Sequence, residues 1–504
     1  MLQKKIFTLG VLLITLALIL SACGGGATPA PAKEEPAAEA PAATEEPAAE
    51  APAATEEVAA EAPAASEEPA AAAPQSGKVQ IRWFCCLGTG DDPAQIESEK
   101  KVVEAFNASH PNIELVIEIV DYDAARDALS TEIASGNPPD IVGPVGTSGA
   151  EAYHGQWLDL ADLIQTHNYD LSQFGEGSVD FYQVGGEGQV GIPFAIYPSV
   201  LFYQRDMFDE AGLNYPPHKY GEKYKWPDGA EVEWNYDTLR ELAMKLTVDK
   251  NGKDATEPEF DPTAIVQYGY EPTYQDLRAV GSYFGAGSFV AADGNTVQVP
   301  PEWVDAWKWV YDGIWKDHFI PTATVIQTDE FGQGNPFNSG RIAMTLTHLW
   351  YTCCLTDAGG NWDVAAVPSH KGKTTANFNA DTFRIFKSTK HPDETFEVLT
   401  YLLGDASVEL LDIYDGMPAR TEDQEAFFKA QSETFPQDVD WQVFVEGIAY
   451  ADNPSFEGFM PNYNESLDLH VTTLSRWRTT EGLDMDAEIA TLQKDLQAIF
   501  DKKS

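Results

Sequence analysis

VQIRWFCCLGTGDDPAQIESEKKVVEAFNASHPNIELVIEIVDYDAARDALSTEIASGNPPDIVG, residues 79–143, changes hydrophobic period four times in 65 positions. Its first residues, VQIRWF, alternate and are bounded by Gly88 and Gly90, the pattern of a strand. From about Pro93 to Ser109, the side chains of Ile96, Val102, Val103 and Phe106 recur on one helical face. His110-Pro111-Asn112 stops that helix, and residues 113–120 read as a second strand. A helix over 124–134, a turn at Ser135-Gly136-Asn137-Pro138-Pro139 and a short strand over 140–143 follow. Strands alternating with helices through short connections predict an α/β fold with a parallel sheet covered by helices. Ligands of such sheets bind beyond the carboxyl ends of the strands, here residues 85–92 and 143–149.

The whole chain has 504 residues, 80 Asp+Glu against 32 Lys+Arg, and a formal net charge of −48. That length suits two or three domains of roughly 150 residues. The charge argues against nucleic acid, whose phosphates draw on Lys and Arg, and against anionic membrane surfaces as partners of the folded part. Apolar residues at 43% and 12 Trp argue against global disorder.

Residues 1–22 carry Lys4 and Lys5, an apolar run from Ile6 to Leu20, then small residues, the order of a secretory signal. The run is shorter than the roughly 18–20 residues of a membrane span. Leu20-Ser21-Ala22-Cys23 resembles a bacterial lipobox, which implies cleavage before Cys23 and its lipidation. Each buried acyl CH₂ adds about 0.8 kcal/mol of anchoring. Residues 23–77 hold four eleven-residue Ala/Pro/Glu units with eleven Glu, one Lys and no aromatic side chain. Such a tract has nothing to bury and reads as a disordered, self-repelling leash, reaching on the order of 170 Å if fully in polyproline geometry. The protein is thus expected outside the cytoplasm, lipid-anchored to the cell membrane.

IRWFCCLGTGDDPAQ, VVEAFNASHPNIELVIEIV and LSTEIASGNPPDIVGP resemble the start of a family-1 extracellular solute-binding protein. IPFAIY followed by LFYQRDMFDEAGL resembles that family's lobe-crossing strand, and FNADTFRIFKSTKHPDETFEVLTYL its return crossing and helix. KLTVDKNGKDA, FNSGRIAMTLTHLW, WDVAAVPSHKG, GMPARTED and EIATLQKDLQAIF match further blocks in order over nearly all of 78–504. The resemblance implies two α/β lobes joined by two or three hinge crossings, with a central ligand cleft. Lobe one would comprise 78–195 plus 377–415, and lobe two 196–376 plus 416–504. It also implies a monomeric receptor that hands a small solute, a sugar or oligosaccharide above all, to the permease subunits of an ABC importer. A surface glycoside hydrolase or lyase, and a polysaccharide-adhering protein, are the alternatives.

A sugar site needs carboxylates and amides for hydroxyls, and aromatic platforms for ring faces. In the loop after the first strand Thr89 and Asp91 are candidates, whereas Asp92-Pro93 also suits a helix start. The resemblance puts Tyr197 after the first crossing, Glu271 and Tyr274 in a lobe-two loop, Trp350 as a stacking platform, and Asn379 and Asp381 in the return crossing. Arg420 is a further candidate, with pairing to a neighbouring acid as its alternative. Trp303, Trp307 and Trp309 share one helix and read as lobe core.

The family pattern does not account for two adjacent cysteine pairs, Cys85-Cys86 and Cys353-Cys354, both placed at the expected cleft wall. Cross-lobe bridges would lock the hinge; buried free thiols and adjacent-residue disulfides remain open. An adjacent bridge is strained, since neighbouring Cα atoms lie about 3.8 Å apart against a usual range of about 4.4–6.8 Å. It would nonetheless make a flat apolar plate for a ligand face. No catalytic residue, cofactor or metal set stands out: Gly186–Gly191 is GxGxxG but precedes a strand and opens no helix, and the nine His show no ligand spacing.

Overall fold

Val79–Cys85 (β1) pairs in parallel with Ile113–Ile119 (β2) on one side and Ile141–Gly146 (β3) on the other. Helices Pro93–Ser109 (α1) and Tyr122–Ala134 (α2) make the crossovers that parallel strands require. The expected boundaries shift by a few residues. The second helix begins at Tyr122 because the Asp121 carboxylate accepts the Asp123 N–H, and β3 runs on to Gly146. The computed structural model describes residues 77–502 apart from 176, 275, 357–359, 453–454 and 456–457. The leader, Cys23 and the repeats lie outside the described residues.

Past β3 the expectation of a parallel sheet fails, and the central sheet of eight strands is mixed. Pro193–Gln204 (β4) is buried at all twelve positions. Its second half, Ser199–Gln204, pairs antiparallel with Met344–His348 (β5) and Trp362–Ala365 (β6). Its first half pairs antiparallel with Phe378–Ile385 (β7), which also pairs antiparallel with β3, and with Met417–Pro418 (β8). Pro198, which has no N–H for a ladder, sits where β4 changes partners. Segment 417–418 therefore pairs with the same half of β4 as β7 does.

Three chain segments meet at this change of partners. The Ser199 N–H donates to Asn377 O at 3.1 Å, and the Asp452 N–H donates to Ala376 O at 3.0 Å. The Phe378 N–H donates to the Asp452 carboxylate at 2.9 Å. The crossings at 198–199 and 377–378 thus gain a third beside them at 450–452. The GxGxxG stretch is a small hairpin, Gln183–Val184 against Gly188–Gln189.

One apolar cluster gathers around the tryptophan helix Pro301–Trp315 (α4), as the sequence implies. Trp303 and Trp307 are 2% and 1% exposed, and their indoles donate to Gly287 O and Leu277 O. Burying each contributes about 4–6 kcal/mol before entropy. Helix Leu277–Tyr283 (α3) approaches so closely that a Cβ on Gly281 would lie 2.0 Å from the Trp303 ring. Gly281→Ala is expected to cost about 1–3 kcal/mol by overpacking. The urea midpoint checks it: an unchanged midpoint would mean that α3 and α4 separate freely.

Candidate functional site

The floor of the candidate site is the face of β4 and β7 that carries Tyr197, Asn379 and Asp381. Tyr197 lies opposite Asn379 in the ladder, and Asp381 follows Asn379 by two, so the pleat puts all three on one side. The Tyr197 hydroxyl donates to Asp381 Oδ2 at 3.4 Å. Small residues make room for this pair: a Cβ on Gly146 would lie 3.1 Å from Asp381 Oδ1, and one on Gly416 would lie 2.9 Å from the Tyr197 oxygen.

Trp350 overhangs the floor from the turn Leu349–Cys354, and its indole N–H donates to Asn379 Oδ1 at 3.0 Å. The Tyr274 ring stands 5.8 Å from Trp350, is 53% exposed, and takes a left-handed φ of 57°. Asn379 Nδ2 is buried without a partner among the described residues. A phenol, an amide with a spare donor, a carboxylate and two aromatic faces thus converge from distant segments. Together they can donate to and accept from hydroxyls while covering an apolar face.

The other sequence candidates are engaged by partners within the protein. The Thr89 hydroxyl accepts from Gln95 Nε2 at 2.7 Å, and Gln95 Oε1 accepts the Gly90 N–H at 2.8 Å. Asp91 accepts the Tyr122 N–H at 2.9 Å, so both side chains brace the loop against α1 and α2. Glu271 is 1% exposed and engaged by Arg478 at 2.8 Å and the Thr273 hydroxyl at 2.7 Å; it is a buried ion-pair partner. Arg420 pairs with Glu422 and lies 3.7 Å from Asp423, the neighbouring-acid alternative. Asp92 caps α1, the plainer of its two readings.

The cysteine pairs also part ways. Cys85–Cys86 is bonded but has no exposed surface, because Gly90 lies over it, so this bridge is not a plate facing a ligand. Cys353 is exposed and Cys354 partly so, and they are unbonded.

Sequence reasoning missed Glu99, buried beside the first pair, where it accepts the Tyr414 hydroxyl at 2.6 Å. Burial pushes its carboxyl up to about 7. It also missed a cavity of about 810 Å³ lined by Thr147, Glu151, Phe181, Val184, Ile448 and Phe459 among others. Phe181 touches Phe378, whose side chain points to the opposite face of β7 from Asn379. Only Thr147 had a signal, its place in the loop after the third strand.

Two measurements test this assignment. Arg478→Met leaves the buried Glu271 charge unpaired and is expected to cost about 3–5 kcal/mol; an unchanged urea midpoint would refute the pairing. Burial pushes the Asp381 carboxyl up to about 6, against a lowering hydrogen bond from Tyr197. The folded value is above the unfolded value of about 3.9, so this group's contribution falls as pH rises from about 4 to 6 and the penalty is complete above that. Asp381→Asn should therefore stabilise the chain at about pH 7.5 by roughly 1–2 kcal/mol, discounted for partial exposure, and much less near pH 4. A larger gain at the lower pH would reverse the sign of this argument.

Known proteins give the arrangement a family. The family of bacterial extracellular solute-binding proteins matches residues 91–409. An uncharacterized lipoprotein of Streptomyces antibioticus is 23% identical over 329 residues, covering 64% of this chain and 67% of its own. An arabinooligosaccharide-binding protein of Halalkalibacterium halodurans is 24% identical over 254 residues, covering 49% of this chain and 50% of its own. Among solved structures, UspC of Mycobacterium tuberculosis superposes with a TM-score of 0.64 at 21% identity, over 84% of this chain and 100% of its own. MalE of Xanthomonas citri does so with 0.61 at 16% identity, over 84% and 97%. The two-lobe periplasmic-binding-protein-like fold is thereby the fold of this chain, and the chain belongs to the bacterial extracellular solute-binding protein family.

Proposed function

We propose that this protein is an extracytoplasmic receptor that captures a sugar or oligosaccharide between its lobes and delivers it to an ABC importer. The observation that carries the reading is the array of Trp350, Asn379, Tyr197 and Asp381 at the hinge. Aromatic faces beside paired hydroxyl-binding groups suit a neutral sugar, and the anionic chain disfavours anionic solutes. Similar folds were solved with cycloalternan in a Listeria monocytogenes protein and with α-D-tagatose in one from Thermotoga lettingae. Closure about the crossings brings the lobe-two aromatics onto a solute held by lobe one, the hinge motion of such folds. Lipidation at Cys23 and the Ala/Pro/Glu leash would keep the receptor near the importer. In this reading the solute is bound and released unchanged, without catalysis.

The test is the thermal unfolding of the chain from Lys78 onward against a panel of mono- and oligosaccharides. A cognate sugar at 100 times its Kd adds about 2.7 kcal/mol to the unit that binds it. Trp350→Ala should weaken that binding at least about tenfold, near 1.4 kcal/mol. Recovery of the sugar unchanged supports a receptor; its consumption would move the protein to the hydrolase class. No shift with any sugar would overturn the sugar reading.

A further inference from the structure

Cys353 and Cys354 end the turn Leu349–Cys354 with their sulfurs 3.0 Å apart. The backbone there is held in place: the Thr352 hydroxyl donates to Leu349 O at 2.9 Å, and Asn335 Nδ2 donates to Cys354 O at 2.8 Å. Leu349, Tyr351 and Thr352 are buried, so the turn cannot easily carry the sulfurs apart. The same turn presents Trp350 to Asn379 and Tyr274. The hydrogen bond with Cys354 and burial push the Cys353 thiol up. Through Trp350 the pair adjoins the candidate site, and on the proposed function it stands on the wall of the hinge cleft.

We propose that Cys353 and Cys354 form a reversible thiol–disulfide site on the cleft wall, oxidised by disulfides of the extracytoplasmic space. The Cys354 thiol is lowered to about 7 by its hydrogen bond with Cys353, which makes it the attacking group. Its thiolate attacks one sulfur of an external disulfide, forming a mixed disulfide and expelling one thiolate. The Cys353 thiol then loses its proton to water and attacks the Cys354 sulfur, expelling the second thiolate. The dithiol gives up two electrons and two protons, and the external disulfide becomes two thiols.

Oxidation replaces two S–H groups by one apolar S–S face beside Trp350 and Tyr274, so the redox state changes the surface that the cleft offers. An exposed bridge between neighbours is strained and easily reduced. Cys85–Cys86, with no exposed surface, is closed to attack in the folded chain. One chain thus holds a protected pair and an exchangeable pair.

The full chain is equilibrated with reduced or oxidised glutathione, acid-quenched, alkylated with N-ethylmaleimide in denaturant and cut with trypsin. Residues 83–100 and 342–371 are then released as separate peptides. The 342–371 peptide should carry two labels after reduced glutathione, and none, with two hydrogens fewer, after the oxidised form. The 83–100 peptide should stay unlabelled in both. Cys353→Ser should trap a glutathione adduct on Cys354. Two labels on 342–371 in both conditions, a lasting adduct in the parent chain, or a link between two chains would overturn the proposal. Labelling of 83–100 at the same glutathione ratio would overturn the contrast between the pairs.

Discussion

The structure depends on a single strand, Pro193–Gln204, that is buried along its whole length and shared by two sets of partners. A strand covered on both faces leaves no polar edge to solvate, so its backbone groups must be matched by neighbours. The first half meets β7 and β8, the second β5 and β6. The switch between the two sets lies at Pro198-Ser199, with segments 376–378 and 450–452 hydrogen-bonded beside it. Tyr197 and Asn379 stand at this switch, with Asp381 two residues further along β7; Trp350 bonds Asn379, and Tyr274 stands beside Trp350.

Charge is distributed by a related constraint. With 80 acidic and 32 basic side chains, a buried carboxylate needs a cation or a proton to remain inside. Arg478 serves Glu271, and Arg205 meets the 2% exposed Asp363 at 2.7 Å. Arg384, 1% exposed, lies over the rings of Trp157 and Tyr182 with Glu151 and Glu187 nearby. Where no ion pair forms, burial raises the carboxyl, as at Glu99 and Asp381. Both accept a tyrosine hydroxyl, which partly offsets the cost. Arg420, a ligand candidate by sequence, is paired with its chain neighbours Glu422 and Asp423.

The fold was legible where local pattern and tertiary demand agree. The alternation of periods from Val79 to Gly143 marks three parallel strands and two helices because each element must bury one face against the next. The tryptophan helix reads as core for the same reason. The pattern does not show that β7 and β8 run antiparallel, since direction depends on the length and path of the connections and not on the strands' own residues. Tyr197, Tyr274, Trp350, Asn379 and Asp381 were named through resemblance of whole blocks, and the structure brings them together at the candidate site. Glu271 was legible as a position but not in its role, because Arg478 lies 207 residues away in sequence.

By itself the sequence determined the kinds of element and their order, the acidic balance, and the adjacency of each cysteine pair; these are properties of neighbours along the chain. Only the tertiary structure decided which of those cysteines are bonded and buried and which stand open, which carboxylate is neutralised by a distant arginine, and which residues of β4 and β7 share a face with Tyr197. Each of those depends on contacts between residues far apart in sequence, and folding alone sets their distances.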